Sequence, residues 1–404
     1  MSEQIHHLLD TIIDKVCDNE AIETAPGGRV KRTVGYVFSK QLFLHCNRLP
    51  KVKGRALLVH ELIRAYGLIE KCRPIESIAA NDCQMRSFHS QEFLDFVRKV
   101  GQNMTEDEDQ TDEEFISDEF GIGYDCPPLP QLYDLMTHIA GSSISAADAI
   151  ATKRCDIAIN WFGGWHHSQR DEASGYCYTN DIVFAILHLL SHGFDKVLYV
   201  DLDLHHSDGV ENAFAHSNKV LTLSFHKYEM GFFPGTGHTS DVGFGSKGRY
   251  HSINIPLNDG ITDECYVDLF KKVMDRIQLC YKTQVIVCQS GADGLNGDPM
   301  NAFNLTIDGY SECIKYLISM NKPLILVGGG GYHLMNTARL WTALTACALN
   351  ETLDDDIPDH SCFLAYRPSY ELHIEAGLRP NLNSKQYIDS VLDKTFKNLS
   401  FINN

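Results

Sequence analysis

The sequence has no CxxC pair, although it holds 13 cysteines. An odd, dispersed set of thiols excludes a disulfide framework and points to a reducing compartment, nucleus or cytoplasm. No apolar run comes near the ~20 residues that cross a bilayer. Positive charge is scarce: 35 Lys and Arg stand against 53 Asp and Glu, a formal charge of −18. That balance disfavours nucleic acid as a direct ligand and suits basic partners. Arg29, Lys31 and Arg32 are too few to make a nuclear import cluster. Internal repeats, low-complexity tracts and inter-domain linkers are missing too, which leaves one large domain. The N-terminal MSEQIHHLLDTIID is acidic and amphipathic, unlike a secretory signal.

What is present is an alternation of strands and helices. Ile5, Leu8, Leu9, Ile12, Ile13 and Val16 fall at helical spacing and predict an amphipathic helix over 3–20, ended by Pro26, Gly27 and Gly28. A strand is expected at 32–39, a helix at 55–68, a short strand at 75–80 and a helix at 90–100. The acidic segment 105–119 reads as a solvated loop, or as one that steers a cationic substrate. A helix is expected over 143–152. Apolar strands then follow at 155–161, 196–203, 219–225, 250–257, 284–291 and 323–329. Helices at 179–192, 208–215, 263–281 and 309–320 accompany them. Near-continuous apolar strands alternating with helices define an α/β protein with a parallel sheet covered on both faces. In such sheets ligands sit at the carboxyl ends of the strands.

The unusual polar residues fall at those ends. KVLYVDLDLHHSDGVE (196–211) opens as a strand and closes on Asp201, Asp203 and His205. The period of two along a strand would turn all three to one face. Two carboxylates and an imidazole gathered there are costly unless a cation neutralises them. The plain alternative is a polar strand end capping a helix that begins near Asp208 and Glu211. After 155–161 come Gly163, Gly164 and the pair His166–His167; after 284–291 comes Asp293. Gly328 to Gly331 precede Tyr332 without the Lys-Ser/Thr of a phosphate loop, so they read as a mobile loop presenting the Tyr332 hydroxyl. Asp203, His205 and Asp293 as three protein ligands with an open position match a catalytic divalent-metal site. Such an ion lowers the pKa of water to about 7. His166 and His167 then suit general acid and base work, with Asp201 and Asp208 holding their Nδ1–H groups. Tyr332 suits donation to a developing oxyanion. This chemistry is metal-assisted hydrolysis of an acyl group. The ligand set suits zinc and iron(II) alike.

The motifs GGWHH, DEASGYCYTND, YVDLDLHHSDGVE, GFFPGTG, GADGLNGDP and GGGGY, in this order, closely resemble the class I metal-dependent histone deacetylases. The likeness runs from about Thr33 to 357–370 and is greatest to the type-8 deacetylases. It implies an arginase-like single domain, an eight-stranded parallel sheet between helices, over 33–404; the N-terminal helix and linker at 1–32 and the acidic segment 105–119 are not part of the family pattern. It implies that Asp203, His205 and Asp293 bind Zn2+ or Fe2+ and that His167 is the main acid and base. His166, Asp201 and Asp208 would assist, and Tyr332 would polarise the carbonyl. Asp125 would hold the substrate backbone. Gly175, Tyr176, Phe233 and Met300 would wall the acyl-lysine slot, with Phe232 and Gly330 beside it. Burying four methylenes of a lysine stem there is worth about 3 kcal/mol. The resemblance also implies K+ at Asp201, Asp203, His205, Ser224 and Phe225, and again near Phe214, Ser217 and Val220.

The implied activity is deacetylation of acetyl-lysine in histone tails or other proteins. It requires no membrane, no direct nucleic acid contact and no corepressor complex. A deacylase for longer acyl-lysines or polyamines, and a non-catalytic acetyl-lysine-binding scaffold, are the competing readings. Two positions depart from the family pattern. Tyr176 replaces the usual tunnel phenylalanine, and Ser207 stands where glycine is usual, which would shift the loop between His205 and Asp208. Cys126 and Cys177 fall near the expected mouth, where oxidation would act on the enzyme.

Overall fold

The computed structural model describes residues 32–104 and 115–402. The expected helix at 3–20 and most of the acidic segment 105–119 lie outside the described residues. Eight strands form one sheet: β1 (Val34–Phe38), β2 (Arg73–Glu76), β3 (Ile157–Asn160), β4 (Val197–Asp201), β5 (Val220–Lys227), β6 (Ser252–Leu257), β7 (Val285–Gln289) and β8 (Leu324–Val327). Their order is β2-β1-β3-β8-β7-β4-β5-β6, and every pairing is parallel. The central strands are buried along their whole length, which is why they read as unbroken apolar runs. Each fully buried aliphatic side chain in them adds about 1.5–3 kcal/mol of transfer free energy.

Two groups of helices pack against the sheet and one another. One contains Lys40–Asn47, Gln91–Asn103, Leu132–Ala151 and Asp181–Ser191; the other contains Arg55–Ala65, Asp263–Cys280, Ile307–Ser319, Leu334–Leu349 and Lys385–Leu399. Among the described residues no helix is long and apolar enough to cross a membrane.

The alternation holds, and two local expectations change. The strand expected at 75–80 is Arg73–Glu76 instead. Its register against β1 pairs Val37 with Ile75, and pairing fades where the Ser77 N–H reaches the Phe38 carbonyl at 3.3 Å. Ala80 then gives its N–H to the Thr137 carbonyl, on a helix, at 2.8 Å. The helix expected over 143–152 begins eleven residues earlier, at Leu132, and ends at Ala151. Gly141, Ser142 and Ser143 interrupt its apolar stripe, and all three are buried. The Ser142 and Ser143 hydroxyls each accept from the Asn160 amide at 2.8 Å. Gly141 is small because the helix lies against backbone there: a Cβ on it would stand 2.0 Å from the Ile78 carbonyl oxygen.

That contact yields a test of the packing. Gly141→Ala forces two backbones apart and should lower stability by about 1–3 kcal/mol, the usual cost of overpacking. A urea unfolding midpoint equal to that of the unsubstituted chain would contradict it.

Candidate active site

Three loops leave the carboxyl ends of β3, β4 and β7 and meet. The β3 loop carries His166 and His167. Buried Asp181, at the start of the next helix, accepts the N–H of Gly164 at 3.0 Å and of Trp165 at 2.8 Å. The Asn180 amide donates to the carbonyls of His166 at 3.1 Å and Ser168 at 3.0 Å. This loop is therefore pinned on both sides of the histidine pair.

β4 ends at Asp201, so the convergence of Asp201, Asp203 and His205 does not come from strand pleating as the spacing suggested. The turn itself produces it. The Asp203 N–H donates to Asp201 Oδ1 at 2.9 Å, and the His205 N–H donates to Asp203 Oδ1 at 3.0 Å. The Leu204 N–H reaches Asp293 Oδ1 at 2.9 Å and ties this turn to the β7 loop. A ligating atom from each of Asp203, His205 and Asp293 lies within 4.8 Å of the others, and all three residues are buried. His205 Nδ1 is 2.9 Å from Asp293 Oδ2 and 3.3 Å from Asp203 Oδ1.

Two ionised carboxylates at that depth demand positive charge. Burial and the Asp203 charge hold the Asp293 carboxyl well above the usual carboxylate range. A pair of hard oxygens with one imidazole is a fitting donor set for a divalent transition ion. The remaining Asp203 oxygen is occupied by protein. Gln289 donates to it at 2.7 Å and the Gly330 N–H at 2.8 Å.

The histidines differ in charge preference. His166 donates from Nδ1 to Asp201 Oδ2 at 2.8 Å. Burial works against its cation, but the Asp201 and Asp203 charges prevail and raise it to about 9. His167 donates from Nδ1 to Asp208 Oδ1 at 2.7 Å. Burial and the neighbouring His166 lower it to about 4, so it is a neutral base at pH 7. Tyr332 is pushed well above the ordinary phenol value by burial and by Asp293 and Asp203, which keeps its O–H as a donor.

The glycine run before Tyr332 is clamped rather than loose. The buried Arg55 guanidinium donates to the carbonyls of Gly329 at 2.9 Å and Gly331 at 3.1 Å. Asp298 accepts the N–H groups of Tyr332 at 2.7 Å and His333 at 3.1 Å. Glycine is required at 330 because a Cβ there would stand 2.3 Å from Asp293 Oδ2.

Above this centre is a narrow slot lined by His166, His167, Gly175, Tyr176, Asp203, Gly330 and Tyr332 among others. It opens toward a mouth of about 520 Å³ that Asp125, Tyr124, Lys51 and Tyr176 help to line. Phe233 meets the His167 ring edge-on at 4.8 Å, and Phe232 stacks on His205 at 5.1 Å. Tyr176 crosses Tyr332 edge to face at 5.8 Å. Asp125 accepts the Gly175 N–H at 2.7 Å. Met300 is half-buried and donates its N–H to Asp298 at 2.9 Å.

This is a site for hydrolysing an amide carried on a long side chain, and the chain belongs to the histone deacetylase family, whose domain matches residues 49–348. It is a histone deacetylase, a hydrolase of a metal-dependent family acting on acetyl-lysine. It is 44% identical to histone deacetylase 8 of Danio rerio over 91% of this chain and 95% of the relative. Identity to histone deacetylase 8 of Xenopus tropicalis is 45%, over 88% of this chain and 95% of that protein. Identity to histone deacetylase 19 of Arabidopsis thaliana is 40%, over 94% of this chain and 74% of that protein.

The residues named for potassium fall into two places. Asp201 and Ser224 are paired neighbours across β4 and β5, with Phe225 next along. Phe214 and Ser217 close the turn before Val220, joined by an N–H to carbonyl bond of 2.8 Å. Ser207 is the N-cap of the Asp208–Phe214 helix with φ −80°, outside the left-handed region that would call for glycine. Cys126 and Cys177 are buried neighbours, and burial pushes both thiols well above their usual value. Neither is an activated thiolate.

Sequence reasoning missed Arg55, Gln289, Asp181, Asp298 and Lys51. Lys51 holds its ammonium over the Tyr176 ring, 4.9 Å from the centroid, at the slot entrance. Asp298 and Asp181 carried a signal, as a second acidic residue within GADGLNGDP and as the closing residue of DEASGYCYTND.

The crowding at residue 330 supplies a test. Gly330→Ala should loosen divalent-metal retention by about 10–100-fold, the range seen when supports of metal ligands are removed. Metal content after dialysis, beside an unchanged far-ultraviolet dichroism spectrum, measures this; undiminished retention would contradict it.

Proposed function

We propose that the chain hydrolyses acetyl-lysine with a divalent ion, Zn2+ or Fe2+, held by Asp203, His205 and Asp293. The observation that carries this is their buried convergence, with Asp203 lining a slot that His166, His167 and Tyr332 also line. When bound, the ion supplies Lewis acidity toward water and the acyl oxygen.

The protein's own groups do the rest. Asp208 accepts the His167 Nδ1–H, which leaves the Nε2 lone pair to take a proton from water and later return it to the departing lysine amine. His166, hydrogen-bonded to Asp201, balances charge beside it. The Tyr332 hydroxyl donates to the acyl oxygen as negative charge grows there. Gly175, Tyr176, Phe232 and Phe233, with Met300 nearby, exclude water from the lysine stem, whose burial favours an aliphatic side chain. Asp125, one oxygen of which is taken by the Gly175 N–H, offers the other to a substrate backbone N–H. We assign K+ to the oxygens around Asp201, Ser224 and Phe225, and to those near Phe214, Ser217 and Val220. There a hard monovalent ion would brace the ends of β4 and β5. Acetylated histone tails or other acetylated proteins are the proposed partners, in the nucleus or the cytoplasm.

Acetate release from an acetyl-lysine peptide tests the reading. His167→Ala should cut kcat by about 10²–10⁴-fold, and Tyr332→Phe by about 10²–10³-fold with little change in KM. Chelation should abolish turnover, and adding back Zn2+ or Fe2+ should restore it. An unaffected rate after complete metal removal would overturn the assignment. Comparing kcat/KM for acetyl, longer-acyl and polyamine substrates decides the acyl preference. Cellular function that survives Tyr332→Phe would favour the scaffold.

A further inference from the structure

A second constellation of metal-ligating groups stands away from the catalytic centre. Asp148 lies in the last turn of helix Leu132–Ala151; His188 lies in the last turn of helix Asp181–Ser191, and His192 is its C-cap. These two helices pack together. One nitrogen of each imidazole and one Asp148 oxygen all lie within 4.8 Å of one another. The helices run on into β3 and β4, so their carboxyl ends sit at the amino edge of the parallel sheet. The catalytic loops leave the opposite edge.

The chemistry of the three groups is that of a cation site. His188 and His192 are four residues apart, the spacing that puts two imidazoles on one helix face around one metal. His192 Nδ1 lies 2.9 Å from the His188 carbonyl, which can only accept, so Nδ1 carries the proton and Nε2 the lone pair. His188 Nε2 is buried without a hydrogen-bond partner and stands 3.4 Å from Asp148 Oδ1. That separation matches an edge of a tetrahedron built on bonds of about 2.0–2.1 Å. Arg154 engages the other carboxylate oxygen, Oδ2, at 2.7 Å and leaves Oδ1 facing the imidazole. Both helices also direct their carboxyl ends here, where the partial negative charge of the macrodipole favours a cation.

We propose that Asp148, His188 and His192 form a second, surface site for a divalent transition ion, Zn2+ being the type, which clips the two helices together. His188 and Asp148 are half-buried and His192 is exposed, so the ion keeps one position open to solvent. The ion takes no part in deacetylation.

The test uses the full chain and Zn2+ or Co2+ alone as probe. After titration and gel filtration the unsubstituted protein should retain two equivalents, and His192→Ala one. His188→Gln should weaken the second equivalent by at least tenfold, and both variants should keep the unsubstituted kcat. The Co2+ spectrum of the second equivalent should lack thiolate charge-transfer bands, which sets this site apart from binding to an accessible cysteine such as Cys83. Retention of one equivalent by the unsubstituted protein, equal stoichiometry and affinity in His192→Ala, or a thiolate band would each overturn the assignment. Because His192 is exposed, its replacement leaves the fold intact, and turnover in the same sample verifies that.

Discussion

Two carboxylates and an imidazole are held together at a depth where water cannot screen them. Asp203 and Asp293 repel each other, and burial raises the cost of charging either. The surrounding architecture answers this one electrostatic conflict. Backbone N–H groups of Leu204, His205 and Gly330, the Gln289 amide and the His205 ring all point at the two carboxylates. Such preorganised donors stabilise negative charge without having to reorient. The nearness of the carboxylates also accounts for glycine at 330, because a Cβ there would meet Asp293 Oδ2.

The same logic extends outward in layers. Asp201 and Asp208 orient the two imidazoles, Asp181 and Asn180 pin the loop that carries them, and Arg55 and Asp298 clamp the loop that carries Tyr332. Each support comes from an element distant in sequence, so the site is built by the sheet bringing strand ends together. Parallel strands place all their carboxyl ends on one edge, which is why loops from β3, β4, β7 and β8 share a cleft.

Much of this was legible early because the two signals concerned are local. Apolar strand runs show in a handful of consecutive residues, and all eight strands were found, with β2 misplaced by two residues at its start. The edge strand β2 buries only Ile75, so it lacks the unbroken apolar run of the central strands. Helix Leu132–Ala151 was foreshortened for a related reason. Gly141 serves a close backbone approach and Ser142 and Ser143 serve buried hydrogen bonds, neither of which registers as hydrophobic periodicity. The helices Lys40–Asn47, Leu334–Leu349 and Lys385–Leu399 also went unread. The spacing of Asp201, Asp203 and His205 led to the right residues by the wrong geometry, since a turn rather than a pleat gathers them.

The chain of residues by itself determined the fold class, the strand ends where polar groups collect, and the identity of the groups that meet the slot. Those follow from short-range pattern and from the chemical rarity of adjacent histidines and spaced carboxylates. Only the tertiary structure decided that Arg55 restrains the glycine run, that Lys51 stands at the entrance, and that Asp148 meets His188 and His192. These are pairings between segments tens to hundreds of residues apart. No local pattern encodes them, because their geometry is set by how helices and strand ends pack.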